Sequence, residues 1–286
     1  MASFNSSNRR SILLVGFQDQ DNLGLRYLMS SLQQAGFVPQ IVTYEPDPGS
    51  LIELAEREHP ALIGFSLIFQ YMAPEFATVI AALREHGVTC HLTMGGHYPS
   101  FDYQEILDRI HGLDSVVRFE GEMTLVELAN KIQAGDDWRQ VPGIAYRENG
   151  HFAANPLRAP IADLDILPEP YRDDIEYESQ PFPTASILGS RGCPWDCSFC
   201  SIRPFYEAQG GSLRRLRHPE AIAKEMARLY YERRVSLFLC QDDDFLGGGK
   251  KAREWAYQLA EAIEQVELAG RIAFKIAGNF FCQVFL

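Results

Sequence analysis

The sequence has no apolar stretch approaching the ~20 residues that a membrane-spanning helix requires. Residues 1–10 are rich in serine and asparagine and lack the apolar centre of a secretory signal peptide. There is no long basic run either, and 26 lysines and arginines against 38 aspartates and glutamates give a net charge of −12. Arg214, Arg215 and Arg217 form a dense basic spot that is too small to change this balance. These absences argue against a membrane span and against a surface that follows nucleic-acid phosphates.

Cysteine is scarce and unevenly placed. Of the 6 cysteines, Cys193, Cys197 and Cys200 crowd into one short segment, while Cys90, Cys240 and Cys282 are scattered. This usage is typical of a reducing compartment rather than of a disulfide framework, so we expect a cytoplasmic protein. No G-x-G-x-x-G follows the first apolar strand and no P-loop is present, so the common nucleotide-binding motifs are missing.

The composition is that of a globular protein. With 286 residues, 46% hydrophobic and 22% charged, the chain has room for about two domains. In residues 10–135, short apolar runs alternate with segments of helical periodicity. The runs expected to form strands are 12–16, 40–44, 61–67, 90–94 and 115–119. This alternation predicts an α/β domain with a doubly wound, five-stranded parallel sheet.

The segments that follow these strands are the candidates for a binding site, because ligands of such sheets lie beyond the carboxyl ends of the strands. They contain acidic residues, glycines and a serine: Asp19, Asp21, Leu23 and Gly24; Ser66 and Leu67; Gly95, Gly96 and His97; Glu120, Gly121 and Glu122. Each segment alone is a weak signal. The sheet by itself is equally compatible with a response-regulator domain or a nucleotide-binding domain.

Residues 136–184 are expected to join two domains. Residues 141–146 and 151–154 predict a hairpin closed by Asn149-Gly150. The many prolines between 156 and 183 exclude a helix or a central strand there, which indicates a semi-rigid connector.

Residues 185–286 predict the order β-α-β-α-β, which is the start of a parallel barrel with its site at the strand ends. Asp242, Asp243 and Asp244 follow the second of these strands. Three adjacent carboxylates repel one another unless a cation lies nearby. The alternative is a solvated acidic turn that caps the next helix, which is the favoured interpretation for Asp244 alone.

The cysteine segment after the first of these strands has the spacing C-x3-C-x2-C over Cys193, Cys197 and Cys200. Three thiolates do not complete a tetrahedral zinc site, which takes four ligands. They can hold an iron–sulfur cube while leaving one iron open to a non-protein ligand. A partial zinc site and structural thiols are the alternatives.

This spacing, with Phe199 just before the last cysteine, resembles the radical S-adenosylmethionine (radical SAM) superfamily. The resemblance implies a 4Fe–4S cluster held by Cys193, Cys197 and Cys200, with S-adenosylmethionine on the fourth iron. It also implies that Phe199 lies against the adenine, that Asp242 and Asp243 bind the amine of SAM, and that a flavodoxin- or ferredoxin-type protein supplies one electron. Since the family barrel has six strands, residues 185–286 are expected to form an incomplete (β/α)6 partial barrel of a truncated member.

The strand-end segments of the first domain, taken in order, resemble the Rossmann- or flavodoxin-like cobalamin-binding domain that precedes many radical SAM domains. On this resemblance, cobalamin is bound by Asp19, Leu23, Gly24, Ser66, Leu67, Gly95, Gly96, Glu120, Gly121 and Glu122. Asp21 stands where some members carry a histidine ligand to cobalt. The glycines at 95 and 96 would let the nucleotide tail of cobalamin approach the backbone, or they only make a turn.

The function implied by both resemblances is cleavage of SAM to a 5′-deoxyadenosyl radical, followed by methyl transfer from cobalamin to an unactivated carbon of a small-molecule substrate. One alternative is radical chemistry without methylation, such as a cyclisation or rearrangement. The other is a truncated, non-catalytic protein that binds the cluster and cobalamin.

Overall fold

The structure is a computed structural model that describes residues 11–18, 21–275 and 281–282. The chain divides into two compact units, the first ending at Ala159 and the second beginning at Pro160.

The first unit alternates strands and helices. Its strands are β1 (Ser11–Gly16), β2 (Val38–Thr43), β3 (Leu62–Ser66), β4 (His91–Gly95), β5 (Ser115–Val117), β6 (Ile144–Glu148) and β7 (His151–Ala154). Its α-helices are α1 (Leu23–Gln34), α2 (Gly49–Glu58), α3 (Ala73–Glu85), α4 (His97–Phe101), α5 (Tyr103–Arg109) and α6 (Glu122–Ala134). Short 3-10 turns lie at Gln70–Met72 and Trp138–Gln140.

These strands form one seven-stranded sheet in the order β2-β1-β3-β4-β5-β6-β7. Strands β1 to β5 are parallel, which confirms the predicted five-stranded parallel sheet. The predicted hairpin β6–β7 turns at Asn149 and Gly150, whose φ values are 50° and 80°. It extends the sheet instead of standing apart in the connector, because Val116 of β5 pairs antiparallel with Ala145.

Helices cover both faces of this sheet. The apolar sides of α2, α3 and α5 share one core with alternate strand residues, while α1 and α6 contact each other on the other face. The short helix α4 follows directly on the glycine pair at the end of β4. Pro99 is its third residue, within the first turn, where the missing N–H leaves no hydrogen bond unmade.

The second unit contains the beginning of a parallel β/α arrangement. Its strands are β8 (Thr184–Ile187), β9 (Ser190–Arg191), β10 (Arg215–Leu216), β11 (Leu237–Cys240), β12 (Ala273–Lys275) and β13 (Phe281–Cys282). Its α-helices are α7 (Ile202–Gln209), α8 (Pro219–Arg233) and α9 (Gly249–Gln265), and 3-10 turns lie at Leu164–Ile166 and Tyr177–Ser179.

Strands β8, β11 and β12 are parallel neighbours, and β13 runs antiparallel to β12. Strands β9 and β10 form a separate antiparallel pair. The apolar faces of α8 and α9 pack on this sheet around the fully buried Phe238. The α/β class with a partial barrel is therefore confirmed, and residues 276–280 and 283–286 lie outside the described residues. In the described part of the chain, every helix is too short or too polar to cross a bilayer.

Candidate functional sites

The carboxyl edge of the first sheet gathers most of the predicted cobalamin segments. Leu67 donates its backbone N–H to the carbonyl of Gly95 over 2.9 Å, which ties the end of β3 to the end of β4. A Cβ atom built on Gly16, at the end of β1, would lie 3.2 Å from Cβ of Ser66. Asp19 lies outside the described residues. The ends of β1, β3 and β4 therefore meet where the sequence predicted a site.

The turn between β1 and α1 is held by side chains of its own. Asn22 caps α1 by accepting the backbone N–H of Leu25 at 3.2 Å, and Leu23 is buried while Gly24 is exposed. Asp21, at the position of the family histidine, forms an ion pair with the buried Arg26. This pairing commits the carboxylate of Asp21 to the protein itself.

Gly96 is required by the backbone around it. Its φ is +126°, and a Cβ there would lie 2.1 Å from the carbonyl oxygen of Leu67. The turn alone is therefore enough to explain this glycine. Gly95 is under a milder constraint, since its Cβ would lie 3.3 Å from the carbonyl oxygen of Val117.

A serine absent from the predicted set connects the ends of β4 and β5. The hydroxyl of Ser100, fully buried in α4, donates to the carbonyl of Gly96 at 2.6 Å and accepts the backbone N–H of Phe119 at 2.7 Å. Phe119 has a φ of +64°, uncommon for a bulky side chain. The signal for this link in the sequence is weak, because it consists only of a hydroxyl four residues after a glycine.

The segment after β5 turns directly into α6. Glu120 and Glu122 are buried, and a Cβ on Gly121 would lie 3.3 Å from the side chain of Leu28 in α1. Burial lowers the pKa of His97, which begins α4. Large apolar side chains are exposed in the loops and helix ends that follow β3, β4 and β5: Ile68, Phe69, Phe101 and Met123. Apolar side chains are therefore exposed in the segments that follow three neighbouring strands.

The three cysteines of the second unit lie in the loop between β9 and α7. Gly192 opens this loop with a φ of +87°, and a Cβ there would lie 1.9 Å from the carbonyl oxygen of Leu213. Cys200 donates its backbone N–H to the carbonyl of Cys197 over 3.0 Å, which closes the last turn of the loop. Cys197 is exposed, and Cys193 and Cys200 are half-buried. The thiols are thus accessible to a metal cluster.

The surroundings of Cys193 disfavour ionisation of its thiol. Burial raises the pKa of Cys193, and the charges of Asp244, Asp243 and Cys200 raise it further, against a backbone hydrogen bond from Trp195. Bound metal would offset this cost by stabilising the thiolate.

Asp242, Asp243 and Asp244, after β11, have three different environments. Asp242 is buried and accepts the backbone N–H of Gly189 at 3.0 Å and the hydroxyl of Ser190 at 2.6 Å. Burial raises its pKa to about 6, although these hydrogen bonds and the charge of Arg214 act in the opposite direction.

Asp243 keeps an exposed surface and accepts the backbone N–H of Gly192 at 3.0 Å through one carboxylate oxygen. Partial loss of solvation by the surrounding protein raises the pKa of Asp243. The hydrogen bond from Gly192 and the charge of Arg191 act in the opposite direction.

Asp244 does not cap the next helix, contrary to the prediction. Helix α9 begins at Gly249, and its N-cap Gly248 makes no side-chain hydrogen bond. Asp244 instead accepts the indole N–H of Trp195 at 2.7 Å and the backbone N–H of Gly247 at 3.0 Å. Phe199, the residue predicted to face the adenine, is 90% exposed.

A buried ionic network below the loop was missed by the sequence analysis. Glu225, at 0% exposure, accepts from Arg172 and from Arg217, each over 2.7 Å. Arg217 also donates to Asp165 at 2.9 Å and to the carbonyl of Leu188 at 3.0 Å. The signal that could have revealed it is the basic spot at 214–217 together with the acidic residue Asp165 in the proline-rich connector.

A family model described as "B12 binding domain" matches residues 9–129. An uncharacterized methyltransferase of Pyrococcus horikoshii is 28% identical over 235 residues, covering 80% of this chain and 50% of the relative. Hopanoid C-3 methylase of Methylococcus capsulatus is 29% identical, covering 78% of this chain and 42% of the relative. Anaerobic magnesium-protoporphyrin IX monomethyl ester cyclase of Cereibacter sphaeroides is 26% identical, with 82% and 39% covered. The chain spans about half the length, or less, of these curated relatives.

Solved structures share the fold over nearly the whole chain. The cobalamin-dependent S-adenosylmethionine radical enzyme OxsB, with aqua-cobalamin and S-adenosylmethionine bound, superposes with a TM-score of 0.75 at 20% identity, covering 93% of this chain and 38% of OxsB. The radical S-adenosylmethionine methyltransferase TsrM of Kitasatospora setae gives a TM-score of 0.70 at 19% identity, with 90% and 52% covered.

Proposed function

We propose that this protein binds cobalamin, a 4Fe–4S cluster and SAM, and that it belongs to an enzyme that methylates an unactivated carbon. Two findings support this proposal: the match of residues 9–129 to a B12-binding domain, and the fold that the chain shares with cobalamin-dependent radical SAM enzymes. The observation that carries the proposal is the glycine-opened loop with three accessible thiols beside Asp243 and Asp244, in the same chain as the B12-binding domain. When bound, the cluster supplies the electron that cleaves SAM, and cobalamin supplies the methyl group.

Cys193, Cys197 and Cys200 would hold the cluster as thiolates. Their number leaves one corner of the cube without a protein ligand. The exposed indole of Trp195 and ring of Phe199 offer apolar cover for the loop once a ligand lies on it. Their role is to exclude water and oxygen, while the cofactors supply the chemistry.

Asp243 is the better candidate for the amine of SAM. It is exposed, and the hydrogen bond from Gly192 uses one of its two oxygens. An ammonium group there would offset the raised pKa by stabilising the carboxylate. Asp242 is buried under Gly189 and Ser190, so we assign it to holding the turn before the cysteine loop.

Cobalamin would lie on the carboxyl edge of the first sheet. Ser66, Leu67, Gly95 and Gly96 line the ends of β3 and β4, and Glu120, Gly121 and Glu122 follow β5. Asp21 stands where some members of the resembled family carry a histidine ligand to cobalt. Its carboxylate is paired with Arg26, so we expect no protein ligand to cobalt from this position.

A cyclisation or rearrangement without methylation is the second candidate, and the likeness to the monomethyl ester cyclase favours it. In both cases the substrate would be a small molecule and the electron would come from a flavodoxin- or ferredoxin-type protein in the cytoplasm.

The test is anaerobic reconstitution of the full chain with iron, sulfide and hydroxocobalamin, followed by reduction with SAM present. We expect about four irons and one corrin per chain, and iron content near zero in Cys197→Ala. Deuterated methyl-SAM would distinguish the candidates, since only a methyltransferase places the labelled methyl group on cobalamin. Stoichiometric zinc with no iron uptake would contradict the proposal.

A further inference from the structure

The three aspartates after β11 contact three successive points of the segment that carries the cysteines. Asp242 accepts from Gly189 and Ser190, Asp243 from Gly192, and Asp244 from Trp195. The order of the aspartates in the chain matches the order of their partners, so each later aspartate contacts a later residue of the segment 189–195. The last contact falls between the first two cysteines.

The contact between Asp244 and Trp195 is supported by a second hydrogen bond to the carboxylate and by packing of the indole ring. The indole N–H lies 2.7 Å from one oxygen of Asp244, while the other oxygen accepts the backbone N–H of Gly247 at 3.0 Å. The ring of Trp195 rests on Gly248, where a Cβ would lie 2.9 Å from Cζ2 of the indole. Gly248 has a φ of −123°, so glycine is not required there by the backbone.

Resting on the proposed function, we propose that Asp244 is a positioning residue for the cluster. Through the indole of Trp195, it holds the stretch between Cys193 and Cys197 so that both thiols face one centre. Because Gly248 has no side chain, the indole can pack against its backbone and reach the carboxylate of Asp244. The hydrogen bond is charge-assisted, and bonds of that kind are among the stronger ones in proteins.

The first arm of the test uses the apo protein and needs no cofactor. Amide hydrogen exchange of residues 192–201 is compared among wild type, Trp195→Phe, Asp244→Ala and Gly248→Ala, with Asp196→Asn as the control. Trp195→Phe keeps an aromatic ring but removes the N–H donor, together with the part of the indole that rests on Gly248. Asp196 is an exposed carboxylate of the same loop, so its variant removes the same charge.

We expect exchange of the loop amides to rise roughly tenfold in Trp195→Phe, because a hydrogen bond to a charged acceptor changes an opening equilibrium by about that factor. Asp244→Ala and Gly248→Ala should match it, and the double variant Trp195→Phe/Asp244→Ala should exceed neither single variant. The midpoint of global unfolding should stay unchanged. Unchanged exchange in Trp195→Phe, additive effects, or an equal rise in Asp196→Asn would overturn the proposal.

The second arm uses the reconstituted protein. Iron release to a chelator should be faster in Trp195→Phe and Gly248→Ala than in wild type, and the electron paramagnetic resonance signal of the reduced cluster should broaden. Wild-type release and an unaltered signal would overturn the positioning role. If wild type itself takes up no iron and sulfide, the proposed function fails, and the exchange arm still decides whether Asp244 holds the loop.

Discussion

Acidification should destabilise the first unit through His91. This side chain is buried in β4, its Nε2 lies 2.8 Å from the hydroxyl of Ser115, and its ring meets the edge of Trp138. Burial lowers its pKa from 6.5 to about 4; the charges of Arg84 and Arg139 also lower it, and that of Asp114 raises it. The folded protein therefore keeps His91 neutral where the unfolded chain would protonate it.

The sign and size of the effect follow from proton linkage. Between pH 6.5 and about 4, the unfolded chain binds more protons than the folded protein, so the free energy of unfolding falls as the pH falls. The contribution of His91 is complete above pH 6.5 and is lost as the pH approaches 4. The total loss is about 3 kcal/mol, of which about 2 kcal/mol is reached at pH 5.

The assay compares wild type with His91→Gln, whose amide can still hydrogen-bond Ser115 and does not titrate. Native-state hydrogen exchange of β4 and β5 peptides gives the opening free energy at pH 7.5 and pH 5.0 for both proteins. Other titrating groups cancel in the difference between them. Wild type should lose about 2 kcal/mol more than the variant. Equal losses would refute the reasoning.

Three further outcomes are expected. Gly96→Ala should lower the free energy of unfolding by about 2–4 kcal/mol, since its φ is strained and its Cβ meets the carbonyl of Leu67; a loss below about 1 kcal/mol in urea denaturation would contradict this. Glu225→Gln breaks two buried ion pairs and should cost about 3–5 kcal/mol, while Glu220→Gln, exposed on the same helix, should stay within about 0.5 kcal/mol. Asp243→Asn should weaken SAM binding about tenfold in equilibrium dialysis while iron content is kept, and unchanged binding would exclude it as the amine site.

The parallel sheet was predictable because its strands are nearly continuous apolar runs. Ile12, Leu13, Leu14 and Val15 are all buried, as strands covered on both faces must be. The attachment of the hairpin to β5 was not predictable. It depends on pairing between residues far apart in the chain, such as Val116 with Ala145, and local sequence carries no signal for that register.

The cysteine loop was located from spacing alone, but the roles of its neighbours were not. Asp242 and Asp243 are adjacent in sequence, yet one is buried beneath Ser190 and the other is exposed beside Gly192. That difference arises from how the β8–β9 turn lies on the end of β11, a tertiary contact. In the same way, the backbone constraint on Gly96 comes from the carbonyl of Leu67, and this tertiary contact could not be predicted from the sequence.

The turn at Gly189 links the aromatic core of the second unit to the loop that follows it. A methyl group at this position would lie 2.9 Å from Cε2 of Phe245 and 3.0 Å from Cη2 of Trp255. The two rings therefore form the surface on which the turn leading into the cysteines rests. Leu substituted for either ring should therefore loosen the backbone of residues 188–192, seen as faster amide exchange there, in addition to the stability that any truncated core side chain costs.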